Sequence, residues 1–146
     1  MRRFSVLPPG SSLRVVAIFP RLSSLADRIT VEDAMLDERG FIAQALAPYG
    51  IEPAVEVVGI EPGEAEIGRA VEAARGADAV ILFLYDAHLY SSNRALLDAL
   101  QKGAPALGVV LMRDPWDAEY LAAGVAGITA YGWRRCQLEA ALARLL

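Results

Sequence analysis

The sequence predicts a three-layer α/β/α sandwich around a mostly parallel five-stranded sheet, and three observations lead there. Short apolar runs of strand length alternate with segments whose apolar residues recur at helical spacing. One run, Ala79 to Leu84, is apolar at every position, as a central parallel strand covered on both faces requires. The stretches between runs are long enough for the crossovers that parallel neighbours need. At 146 residues, 55% of them hydrophobic, the chain has the size of one domain. A chain of this length buries roughly two-thirds of its unfolded surface.

Met1 to Ser12 reads as a flexible basic segment, with Pro8-Pro9-Gly10-Ser11-Ser12 as a linker, and residues 13–146 as one α/β domain. Val15 to Phe19 is a buried strand stopped by Pro20. Thr30-Val31-Glu32-Asp33 carries a capping-box pattern, so a helix is expected from there to about Ala47, ended by Pro48-Tyr49-Gly50 and weakened inside by Gly40. Val55 to Val58 is a second, less buried strand. Glu61-Pro62-Gly63 opens a helix with Ile67, Ala70, Val71 and Ala74 on one face, and Gly76 closes it. After the Ala79–Leu84 strand, Ser91-Ser92-Asn93 is the expected cap of a helix bearing Leu96, Leu97 and Leu100. Leu107 to Met112 is a fourth strand. Asp114-Pro115 starts a short helix with proline at its first position, and Gly127 to Tyr131 is a brief fifth strand. A last helix places Leu138, Ala141, Leu142 and Leu145 on one stripe. The pattern is flavodoxin-like or Rossmann-like.

Charge excludes some functions. Residues 1–30 hold five Arg and one acid, residues 31–80 eleven acids and three Arg, and the remainder six acids and six basic residues. A net charge of −4 and a pI near 5.0 argue against nucleic-acid binding through phosphates. The acidic middle reads as a solvated helical face. No apolar run approaches a membrane span, and the start lacks the apolar stretch of a signal peptide. One cysteine forbids an internal disulfide and fits a cytoplasmic protein, with secretion of a longer parent chain left open.

In parallel sheets of this kind ligands sit beyond the carboxyl ends of the strands. That edge comprises residues 20–24, 85–90, 113–117 and 131–135. It carries neither the dinucleotide glycine fingerprint nor a phosphate loop, and Phe19-Pro20-Arg21-Leu22 is bulky where such loops need small residues. Ser23-Ser24 is a thin version of a flavin phosphate loop, so no cofactor is expected. A phospho-acceptor receiver needs clustered acids after the first strand and a lysine after the fifth, and both are missing. Nitrogen or sulfur ligands for a metal are limited to His88 and Cys136, in different segments, so no metal site is expected. His88 reads as a surface histidine before it reads as a ligand or base. Cys136 reads as a small buried hydrophobe.

Arg113-Asp114-Pro115-Trp116-Asp117 is the most distinctive stretch. As local structure, Asp114 caps a helix and Asp117 completes a capping pair near its positive end. As a surface, Arg113 and Trp116 contact a sugar or a partner, with Tyr131-Gly132-Trp133 adding aromatic area. The two readings are compatible. No acid or histidine is assigned a catalytic role. Asp86, His88, Arg113, Trp116, Asp117 and Tyr131 are the candidates for contact with substrate or partner.

Gly76 to Ile81, Leu107 to Met112, Arg113 to Asp117 and Thr129 to Trp133 together resemble the C-terminal α/β sandwich domain of glycoside hydrolase family 3, in its β-N-acetylhexosaminidase branch. There a strand followed by Arg-(Asp/Asn)-Pro-(Tyr/Trp)-Asp, then a short strand ending in Tyr-Gly, recurs near the chain end. The resemblance spans about Arg14 to Leu146. It implies a sugar hydrolase whose catalytic (β/α)8 barrel is absent from this chain, with that barrel as partner and carbohydrate at the interface between them. It implies no catalytic residue here, because the Lys-His-Phe-Pro-Gly-His loop of the barrel has no counterpart and 146 residues cannot hold a barrel of about 250. A stand-alone flavodoxin-like ligand-binding or regulatory module is the alternative, and a self-associating domain a third reading.

Overall fold

A computed structural model describes residues 12–146; of the expected N-terminal segment, residues 1–11 lie outside the described residues. Five strands, β1 (Val15–Pro20), β2 (Ala54–Val58), β3 (Ala79–Leu84), β4 (Leu107–Leu111) and β5 (Ala126–Thr129), form one sheet in the order β2-β1-β3-β4-β5. Every neighbouring pair is parallel, so the sheet is wholly rather than mostly parallel. Four helices cross it: α1 (Glu38–Leu46), α2 (Glu64–Arg75), α3 (Ser91–Gly103) and α4 (Arg135–Leu145). The expected α/β/α sandwich is thus the observed fold.

Strand β3 explains the layering. Its successive side chains alternate between faces. Ala79, Ile81 and Phe83 join Phe41, Ile42 and Leu46 of α1 and Leu138 and Leu142 of α4 in one core. Val80, Leu82 and Leu84 join Ala70 and Ala74 of α2 and Leu96, Leu97 and Leu100 of α3 in the other. All six β3 residues are buried, which is why the sequence there shows no polar alternation. Aromatic contact tightens the first layer: the Phe19 ring meets Phe83 at 5.1 Å edge-on and Phe41 at 6.1 Å.

Several local expectations are corrected. Helix α1 begins at Glu38, not near Thr30, because Asp37 is the residue whose carboxylate accepts from the Gly40 amide, at 3.1 Å. Gly40 therefore sits in the first turn beneath its cap, where a Cβ would collide with the Asp37 carboxylate. The Thr30–Asp33 stretch is committed elsewhere. The Thr30 carbonyl accepts from Trp133 Nε1 at 3.2 Å, and the Glu32 carboxylate accepts from the Arg135 amide at 2.8 Å. A pattern that reads as a local cap instead ties the segment to the loop after β5. Likewise Ser91-Ser92-Asn93 supplies no side-chain cap to α3. Asn93 is buried, and its amide nitrogen donates to the Ile60 and Tyr85 carbonyls, both at 2.8 Å. Strand β1 takes in Pro20, β5 runs Ala126–Thr129 rather than 127–131, and the Pro115–Tyr120 segment is a 3-10 helix. Cys136 is exposed, not buried: it lies in the first turn of α4, off the Leu138–Leu142 stripe.

Candidate functional site

Sheet register assembles the site. Leu84 of β3, Leu111 of β4 and Thr129 of β5 are paired in one row. Two residues further along each strand come Asp86, Arg113 and Tyr131, side by side at the carboxyl edge. Backbone bonds extend the alignment past the strands, with Met112 N donating to the Leu84 carbonyl and Gly132 N to the Met112 carbonyl.

Two side-chain pairs stand there. Arg113 Nη1 lies 3.3 Å from Asp86 Oδ2, with Asp86 1% exposed and Arg113 43% exposed. The guanidinium lies 5.9 Å from the centre of the Trp133 ring, a cation–π distance. Trp133 in turn packs against Tyr85, which stacks on Tyr90. Asp86 Oδ1 is buried with no hydrogen-bond partner, and the residue has a φ of 40°, in the left-handed region. Tyr131 has a φ of 60°. Two non-glycine residues in this region, on the loops that flank Arg113 at one sheet edge, is backbone strain of a kind that clusters at functional sites.

The second pair is His88 with Asp117. The Asp117 carboxylate is 1% exposed and accepts from the Ala87 amide at 2.9 Å and the His88 amide at 2.8 Å. Its Oδ1 also lies 2.8 Å from His88 Nδ1. Asp117 is therefore not the second member of a helix cap. It reaches across the edge and pins the loop after β3 to the Pro115–Tyr120 turn. Asp114 is the cap, its Oδ1 accepting from the Trp116 amide at 3.0 Å.

Electrostatics couples the pairs. Burial pushes the Asp86 carboxyl above the usual carboxylate value, against the opposing pull of the Arg113 and His88 charges and with a further push from Asp117 and Asp114. Tyr85 is likewise raised, first by burial and then by the Asp86 charge. A carboxyl whose pKa rises on folding weakens the fold once it ionises. That cost is absent below its unfolded value of 3.8 and complete above the folded one. Asp86→Asn should therefore raise the melting temperature relative to the parent at about pH 7 and leave the two nearly equal at about pH 3. A gap of the same size at both pH values in thermal melts would contradict this account.

All six sequence candidates lie at this edge. Asp86 and Arg113 form one pair and His88 and Asp117 the other, while Trp116 and Tyr131 are among the largest exposed apolar side chains, at 65% and 70%. Leu89, 60% exposed, belongs with them on the loop after β3. Tyr85, Tyr90 and Asn93 are not singled out by the sequence as site members, and Trp133 enters there only as added aromatic area. The signal for Tyr85, Tyr90 and Trp133 was position just beyond a strand end, whereas Asn93 lies inside α3 and offered none. Gln137 was also missed; its side chain accepts from the Arg134 amide and donates to the Tyr131 carbonyl, holding the strained loop.

At the β1 end, where the connectivity reverses direction across the sheet, the Leu22–Leu25 turn is occupied internally. The Glu38 carboxylate accepts from the Ser23 amide at 3.0 Å and the Ser23 hydroxyl at 2.5 Å. A phosphate at this turn would have to displace a carboxylate. Among the described residues no group of three or more His, Cys, Asp or Glu side chains is placed to hold a metal ion, and no helix is long and apolar enough to cross a membrane.

The fold matches part of a glycoside hydrolase family 3 β-N-acetylglucosaminidase from Paenibacillus sp. str. FPU-7 with a TM-score of 0.71 at 21% identity, covering 91% of this chain and 25% of that one. It also matches part of a fungal multi-domain β-N-acetylglucosaminidase of the same family, described as having a GCN5-related glucosamine N-acetyltransferase region. That match has a TM-score of 0.70 at 18% identity and covers 98% of this chain and 15% of that one. The chain thus spans a quarter or less of the length of either enzyme, and at these identities the likeness is one of fold. No protein-family model matches the chain, and no curated protein does.

Proposed function

We propose that this chain is the accessory C-terminal α/β domain of a β-N-acetylhexosaminidase-type glycoside hydrolase of family 3. In this reading it packs its carboxyl edge against a catalytic (β/α)8 barrel carried outside this sequence, with carbohydrate near that interface. The observation that carries the reading is the asymmetry of coverage. Nearly all of this chain superimposes on a small part of two much longer sugar hydrolases. The edge itself supports it. Leu89, Trp116 and Tyr131, on three successive strand-end loops, expose large apolar surface around the Asp86–Arg113 ion pair and the Asp117–His88 hydrogen bond, an apolar patch with polar anchors of the kind protein interfaces use.

The parent chemistry would be acid/base-assisted cleavage of a glycosidic bond through a covalent sugar intermediate, with both reacting groups on the barrel. This chain's part is to position and to wall the cleft through Arg113, Trp116 and Tyr131. The expected result is that the purified chain does not hydrolyse an aryl β-N-acetylglucosaminide. Turnover by the chain alone that disappears in Asp86→Asn or His88→Ala would overturn the assignment.

A further inference from the structure

We propose that the cleft between the loop after β3 and the Pro115–Tyr120 turn is a binding site for the ring of a neutral sugar, which this chain holds without help from a partner. The cleft has a volume of about 340 Å³ and is lined by His88, Asp114, Trp116, Glu119 and Tyr120. That lies at the lower end of the range found for small-molecule sites.

The lining fits polyhydroxylated pyranose chemistry. The Asp117 carboxylate has only acceptor capacity, so it fixes a hydrogen on His88 Nδ1 and with it the orientation of the ring. Nε2 is then the ring nitrogen left for the cleft. Glu119 and the capping carboxylate of Asp114 supply acceptors, so the polar wall takes hydrogen bonds and suits hydroxyl donors. Two carboxylates disfavour phosphates and acidic sugars. The apolar wall is Trp116, 65% exposed, whose indole face suits the C–H face of a pyranose. Tyr120 is less available, because the Arg94 guanidinium lies 5.4 Å from its ring centre. If Asp117 served only to pin the loop, its two backbone partners would suffice. Pinning accounts neither for the ordered imidazole nor for a tryptophan exposed beside it.

The inference deepens the reading above and rests on it only for the choice of an N-acetylglucosamine oligosaccharide as first probe. The test uses this chain alone, so its failure leaves docking to a barrel to be judged separately. The chain, labelled with ¹⁵N, is titrated with N-acetylglucosamine trisaccharide and, separately, with cellotriose, following the Trp116 indole and His88 amide signals. The expected result is saturable shifts at both positions at millimolar sugar or below, abolished in Trp116→Ala and weakened about 3- to 10-fold in His88→Ala. Trp116 is exposed, so its replacement leaves the fold intact, which the remaining amide signals verify. No saturable shift with either sugar, shifts that map away from the cleft, undiminished binding in Trp116→Ala, or binding of an alkylammonium ion in place of sugars would each overturn the proposal.

Discussion

Asp117→Ala is expected to lower stability by about 3 kcal/mol, the scale of breaking a buried, charge-assisted hydrogen-bond network. In a domain of this size that is a fall in melting temperature of about 6–12 °C. The reason lies in what the carboxylate holds. It accepts from the Ala87 and His88 amides and from His88 Nδ1, and its removal leaves those donors to find water at a crowded edge. Asp117→Asn keeps an acceptor and should lose less. Thermal unfolding followed by circular dichroism decides the matter; a shift of no more than about 2 °C for the alanine variant would mean the loop is held by something else.

Tyr131→Asp is expected to weaken association with a catalytic partner by about 30-fold or more, the cost of losing an interface aromatic anchor. The free chain should barely notice. Tyr131 is 70% exposed at a φ of 60°, a conformation aspartate tolerates better than tyrosine. A melt that is unchanged beside a binding isotherm that has collapsed would place the interface at this loop. Unchanged affinity would move the docking face away from the carboxyl edge.

Much of this molecule was legible in its residues, and what was not has a common cause. Ala79–Leu84 announced a central strand because both of its faces are covered, and the Arg113–Asp117 motif announced the edge. The alternating runs set the number of strands and the helices between them, with the start of α1 misplaced. Thr30–Asp33 and Ser91–Asn93 misled because both resemble caps locally, while their polar groups serve distant partners: the loop after β5 in one case, the Ile60 and Tyr85 carbonyls in the other. Asp117 misled in the same way, since spacing from Asp114 suggested a capping pair and only the fold brings it to His88, 29 residues away in sequence. Cys136 was misplaced because residue type was weighed over helical phase: the Leu138–Leu145 stripe, extended back, leaves position 136 off the buried face. Local pattern finds elements; it does not find which side chains cross between them.

The most direct test of the central claim is to identify what carries or accompanies this sequence in its source cells. Immunoblotting for its native mass and mass spectrometry of the immunoprecipitate, taken together, provide that measurement. The account predicts either one polypeptide of roughly 43 kDa or more, the size of a (β/α)8 barrel plus this domain, or a 15.7 kDa chain that co-purifies stoichiometrically with a barrel-containing sugar hydrolase. A 15.7 kDa chain recovered alone, with no such hydrolase in the precipitate, would contradict it.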